Sequence, residues 1–183
     1  MFEKLVDETK NVIVATVKGA DDAVSALRTA IKNQIVGALK DISDISTAGM
    51  EAVTAVVSGG LKGASTIGLS LVEATKASLT AVIFGVSEVG GDVLTATQKA
   101  ARKAIEEANS LGGDLGATAV AAVEGTMKAA SEVGIGTAEA VKAAVTGVIQ
   151  AADGIGSEAG QTVRKALKSA ASLPKDVIEA VIK

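Results

Sequence analysis

Three segments decide the fold: Glu88-Val-Gly-Gly-Asp92, Ser110-Leu-Gly-Gly-Asp114 and Glu132-Val-Gly-Ile-Gly136. In each, an apolar residue is followed by glycine, and the pattern returns every 22 residues. The same frame takes in Ile67-Gly68 upstream and Ile155-Gly156 downstream. Extended without insertion, it aligns Met1, Ala23, Ile45, Ile67, Val89, Leu111, Val133, Ile155 and Val177 in one column. A fixed period of this length marks a tandem repeat, here a quasi-one-dimensional object of eight units.

Two further columns have the same character. The thirteenth position of each unit holds Ile13, Ile35, Val57, Leu79, Ala101, Val123, Val145 and Leu167. The seventeenth holds Val17, Leu39, Leu61, Ile83, Ile105, Met127, Ile149 and Ala171. All 25 positions in the three columns are apolar, against 48% for the whole chain. Six apolar steps per unit give a mean spacing of about 3.67 residues, the eleven-residue periodicity of an amphipathic helix. The stripe expected to be buried therefore includes Ile67, Leu79, Ile83, Val89, Leu111, Val123, Met127, Val133, Val145, Ile149 and Ile155. The twenty-first column, with Ser87, Asn109, Ser131 and Asp153, is polar and expected to face solvent. The fold class is all-α, built from long amphipathic helices, either extended or folded back as hairpins.

The glycines admit two readings. As turns, they end helices at Val89, Leu111, Val133 and Ile155, with Asp92, Asp114, Thr137 and Ser157 capping the next helix. As interior residues, they let a neighbouring backbone come close, at about 1 kcal/mol relative to Ala. The unbroken phase, and the absence of this glycine from the first units, favour a helix that continues through them. The expected helix–helix contact glycines are accordingly Gly59, Gly63, Gly90, Gly112, Gly116, Gly134, Gly156 and Gly160. Ala52, Ala74, Ala96 and Ala140, with Ala100, Ala122, Ala144 and Ala166, add rows of small residues that suit close helix pairs. The segment 41–46 is the expected break, and Pro174 ends the repeat because its ring forbids a helix interior. Three regions follow: N-terminal helical units over 1–44, Gly/Ala-rich repeats over 45–172, and a short C-terminal helix over 173–183.

Composition removes several function classes. Without Cys or His there are no disulfides, thiolates or imidazole ligands. Net charge is −3 and both halves are balanced, so no basic patch invites nucleic acid. Ser172-Leu-Pro-Lys175 fits a serine–lysine spacing but lacks the companion motifs. Gly59-Gly-Leu-Lys-Gly63 has neither the spacing nor the preceding strand of a phosphate loop. Asp21–Asp22 and Glu106–Glu107 are sequence neighbours that point different ways on a helix, as on a solvated face. Asp7–Lys10, Glu73–Lys76 and Glu139–Lys142 are spaced to pair along one helix. No cofactor, metal or catalytic role is expected. The charged N-terminus Met1–Glu8 lacks a secretory pattern, and cytoplasm or a membrane surface is the expected location.

Glu51-Ala-Val-Thr-Ala-Val-Val-Ser-Gly-Gly60 and Val141-Lys-Ala-Ala-Val-Thr-Gly-Val-Ile149 are similar in texture to the repeats of synucleins. In pattern, the chain resembles the amphipathic 11- and 22-residue-repeat proteins: synucleins, exchangeable apolipoproteins and perilipins. That resemblance implies coating of a lipid or other hydrophobic surface, without an active site. The chain departs from it in lacking inter-unit prolines, a lysine-rich repeat core and large lipid-penetrating side chains. The leading expectation is a non-enzymatic structural protein that self-associates through Ala/Gly-rich faces into a bundle, filament or sheath. The alternative is an amphipathic coat on a lipid, membrane or polymer-granule surface.

Overall fold

The computed structural model describes residues 2–43 and 46–182. They are all-helical: α1 Phe2–Val17, α2 Ala23–Lys40, α3 Thr47–Thr66, α4 Leu71–Glu88, α5 Val93–Ser110, α6 Leu115–Val133, α7 Thr137–Ile155, α8 Ser157–Ser169 and α9 Lys175–Val181. Met1 and Ile45, both in the first apolar column, lie outside the described residues, as does Asp44 in the expected break. Helices α4 to α7 begin 22 residues apart.

The expectation of a helix running through the glycines is overturned. Gly68, Gly90, Gly112 and Gly134 have φ of +82, +72, +74 and +77°. This left-handed conformation interrupts a right-handed helix, and glycine enters it without the Cβ clash that other residues suffer. The chain then closes the end in a Schellman arrangement. Gly91 N–H donates to the Val86 carbonyl at 2.9 Å, Gly113 to Ala108 at 2.7 Å, Leu69 to Ala64 at 2.9 Å and Ile135 to Ala130 at 3.1 Å. Ser70, Asp92 and Asp114 follow at once as N-caps, accepting from the amides of Glu73, Thr95 and Ala117 at 3.4, 3.1 and 3.0 Å. A carboxylate here meets otherwise unpaired amides. Accordingly the Asp92 carboxyl lies below its ordinary pKa, chiefly through the hydrogen bond from the Thr95 hydroxyl. Thr137 and Ser157, expected as caps, are instead the first residues of α7 and α8. In the first turn the left-handed glycine is Gly19, at +82°, in the nineteenth column rather than the second.

Tight turns make successive helices antiparallel, so each helix runs parallel to the second one after it. All contacts among the described helices join elements one or two apart in sequence. Two layers result. Helices α1, α3, α5 and α7 form one, with α9 against α7, and α2, α4, α6 and α8 form the other. Contacts confined to near neighbours give the molecule the quasi-one-dimensional character of a stacked array.

Burial follows two faces of each helix. Leu79, Ile83, Val123 and Val145 are fully enclosed. Ile67, Val89, Leu111, Met127, Val133 and Ile149 are only half-buried, and Ile155 is exposed. Most of the weaker positions sit at helix ends, where the neighbouring layer stops covering them. Ala52, Ala74, Ala96, Ala100, Ala122, Ala140 and Ala144 are buried as well, on the face turned to the parallel neighbour. Ser87 is half-buried, whereas Asn109, Ser131 and Asp153 are exposed.

Among the described residues, ion pairs join neighbouring helices as well as running along single ones. Lys76 pairs with Glu124 of α6 at 3.2 Å rather than with Glu73, and Lys32 of α2 pairs with Glu88 of α4 at 2.8 Å. Among the described residues, Asp7–Lys10 and Glu139–Lys142 form no ion pair. A parallel neighbour within reach supplies a partner that an isolated helix lacks.

Candidate functional site

The contact faces between parallel neighbours are built on a second set of glycines. Gly59 faces the Val6 carbonyl of α1, and a methyl group added to it would lie 2.7 Å from Thr9 Cβ. Gly63 meets Ile13, where the added methyl would lie 2.7 Å from Cβ. Gly85 sets α4 on Ile35 and Lys32 of α2. An added methyl at Gly125 would stand 2.5 Å from the Lys76 carbonyl oxygen of α4. Gly147 lies against the Gln98 carbonyl of α5, and its methyl would be 3.1 Å from the Arg102 nitrogen. Gly116 rests on Ala166 of α8, with a methyl-to-methyl distance of 3.0 Å. At Gly59, Gly125 and Gly147 the opposing atom is a main-chain carbonyl oxygen that cannot rotate away, so a methyl group there would force the helices apart.

The eight glycines expected as contacts thus divide. Gly59, Gly63 and Gly116 lie at helix–helix contacts. Gly90, Gly112 and Gly134 are turn residues with nothing within 4 Å of an added methyl, so they are not contact residues. Gly156 is extended, joins α7 to α8, and likewise faces open space. Gly160 lies beside Asp153 and Arg164, which form a two-pronged pair at 2.6 and 2.8 Å linking α7 to α8. That pair holds the Asp153 carboxyl below its ordinary pKa, the hydrogen bond from Arg164 being the main cause. Gly85, Gly125 and Gly147 were missed. Their signal is the fifteenth column for Gly37, Gly59, Gly125 and Gly147, and the nineteenth for Gly63 and Gly85.

Helix α5 departs from both columns, carrying Lys103 and Glu107 where α3, α4, α6 and α7 carry glycine or alanine. Its parallel neighbour two places earlier is α3. A buried hydrogen bond joins these helices: Ser58 Oγ donates to Glu107 Oε1 at 2.6 Å. Glu107 is 6% exposed, which corrects the expectation of a solvated acid pair at Glu106–Glu107. Lys103 Nζ lies 3.8 Å from Glu107 Oε1 and 3.6 Å from Glu106 Oε2. Two long side chains at small-residue positions hold α3 and α5 apart. A groove of about 360 Å³ opens beside them, walled by Met50, Glu51 and Thr54 of α3 and by Thr95, Gln98, Lys99, Arg102, Lys103 and Glu106 of α5. Gln150 of α7 hydrogen-bonds Gln98 at its edge, at 3.1 Å.

The remaining candidates are accounted for locally. Ser172 Oγ donates to Glu124 Oε1 at 2.9 Å, so its hydroxyl is bound by a carboxylate. Among the described residues, no group of three or more Asp or Glu is placed to hold a metal, and no helix is long and apolar enough to cross a membrane. No protein-family model matches the chain, and no curated protein matches it in sequence.

Proposed function

We propose that this chain is a non-enzymatic structural protein that self-associates through an Ala/Gly-rich helix face, as the unit of a bundle, filament or sheath. The face is the outer edge of α2. The single observation that carries the reading is Gly37, which shares its column with Gly59, Gly125 and Gly147. Each of those three receives the backbone of the helix two places earlier. Among the described residues no helix packs on this side of α2, and nothing lies within 4 Å of a methyl group added at Gly37. A glycine inside a helix costs about 1 kcal/mol relative to Ala, and the chain's own packing offers no return for it at this position. A helix from a second copy would supply the missing contact. The surrounding surface suits that partner: Ala26, Ala30, Thr29 and Asn33 are uncharged and, with Val12 and Thr16 of α1, line a shallow groove of about 530 Å³.

The lipid-coat alternative has less support. It would need Leu79, Ile83, Val123 and Val145 to leave the core, because the exposed large hydrophobics among the described residues are Leu94 and Ile155. The deciding experiment is the mass of parent and Gly37→Leu protein by light scattering over a concentration series. The parent is expected to be oligomeric, and the variant monomeric with an undiminished melting temperature. A parent that stays monomeric at high concentration, or a variant that assembles as the parent does, would refute the proposal. Binding of the parent to vesicles with loss of its oligomer would promote the coat.

A further inference from the structure

The groove between α3 and α5 has a charge arrangement that the packing of the array does not use. Glu51 stands exposed on the α3 wall and Lys99 exposed on the α5 wall. Neither has an ion-pair partner among the described residues, whereas Arg102 and Lys103 are both engaged by Glu106, Arg102 at 3.1 Å. Beside Glu51 on the α3 wall, Met50, 3% exposed, supplies an apolar contact. The groove therefore offers one free carboxylate, one free ammonium and an apolar contact in about 360 Å³. Sites for small ligands start near about 300 Å³ and combine an apolar lining with a few oriented polar groups.

The groove exists because α5 breaks the small-residue rule at Lys103 and Glu107. Enclosing a carboxylate in an Ala- and Gly-lined contact is costly unless it is paired. Glu107 is held there by Ser58 and Lys103, and long charged side chains where other helices close with glycine or alanine have the signature of function placed over tight packing.

We propose that this groove binds a small zwitterion of the α-amino acid or short-peptide class. Glu51 takes the ammonium, Lys99 takes the carboxylate, and an apolar side chain rests on Met50. A simple anion would leave Glu51 repelling it, and a simple cation would leave Lys99 doing so. A zwitterion matches both walls. The site is independent of the α2 edge, so Gly37→Leu leaves it intact and failure of either proposal does not touch the other.

The test is calorimetric titration of the full chain with the twenty standard α-amino acids and a set of dipeptides. At least one is expected to bind with Kd below about 1 mM. Glu51→Gln and Lys99→Met should each weaken that ligand by about tenfold or more, with unchanged melting temperatures because both side chains are exposed. Blocking the ligand's amine by acetylation or its carboxylate by amidation should have the same effect. No binding by any of these ligands at about ten times that concentration would overturn the proposal. So would binding that both variants retain, or that only one of them loses.

Discussion

Gly125→Ala is expected to lower unfolding free energy by about 1–3 kcal/mol, although alanine is the better helix former. The methyl group would sit 2.5 Å from the Lys76 carbonyl oxygen and 3.2 Å from its carbon, both main-chain atoms that cannot rotate away. Helices α4 and α6 must separate to admit it, and the loss spreads along a contact lined by Ala74, Ala77, Ala121 and Ala122, all buried. Gly37→Ala, in the same column, meets nothing within 4 Å and should stabilise the dissociated chain by up to about 1 kcal/mol. Urea unfolding at low protein concentration reads both. Equal signs for the two substitutions would show that column position, rather than the neighbouring backbone, sets the demand for glycine.

The second large effect lies at Ser58. Ser58→Ala removes the hydroxyl that donates to Glu107 at 2.6 Å and leaves a carboxylate, 6% exposed, without that bond. The expected loss is about 2–3 kcal/mol, in the range for stranding a buried charged acceptor. Lys103, 3.8 Å away, is too far to replace it with a hydrogen bond. Combining Ser58→Ala with Glu107→Ala should recover most of the loss, because removing both partners is far less costly than removing one. Alanine also fits that column, as Ala129 and Ala151 show in α6 and α7, where both are buried. A double-mutant cycle measures the coupling. Additive effects would mean that the two side chains do not act as a pair.

Much of the fold was legible from the thirteenth and seventeenth columns, because a helix that buries one face must place large apolar residues there in constant phase. Leu79, Ile83, Val123 and Val145 are enclosed for that reason. The glycines were harder to read. A helix of about 18 residues with a four-residue turn has the same period as an unbroken helix with regular close contacts, so phase alone separates nothing. The informative signal was the residue two places on: Ser70, Asp92 and Asp114 are N-caps, a role with meaning only at a helix start. Absence of the column glycine from the first units pointed the wrong way, since Gly19 makes that turn from another column. Gly125 and Gly147 escaped notice because neither has a glycine four residues away, and the pattern sought was a pair on one helix. Their contacts lie on parallel neighbours, at Lys76 and Gln98, 49 residues away in both cases. Glu107 escaped for a related reason. Its burial depends on α3, and no feature within α5 distinguishes it from the half-exposed Glu106 beside it.

Turn glycines fold the chain back, and contact glycines let parallel neighbours close up within one molecule. Small-angle X-ray scattering of the dilute chain tests this arrangement most directly. A folded array of 183 residues should have a radius of gyration near about 16 Å. A continuous helix of the same length would extend to about 275 Å. A compact distance distribution with a radius near the smaller figure is the expected result. A rod-like distribution reaching well beyond about 100 Å, on the scale set by the helix rise per residue, from protein shown to be monomeric would contradict the account.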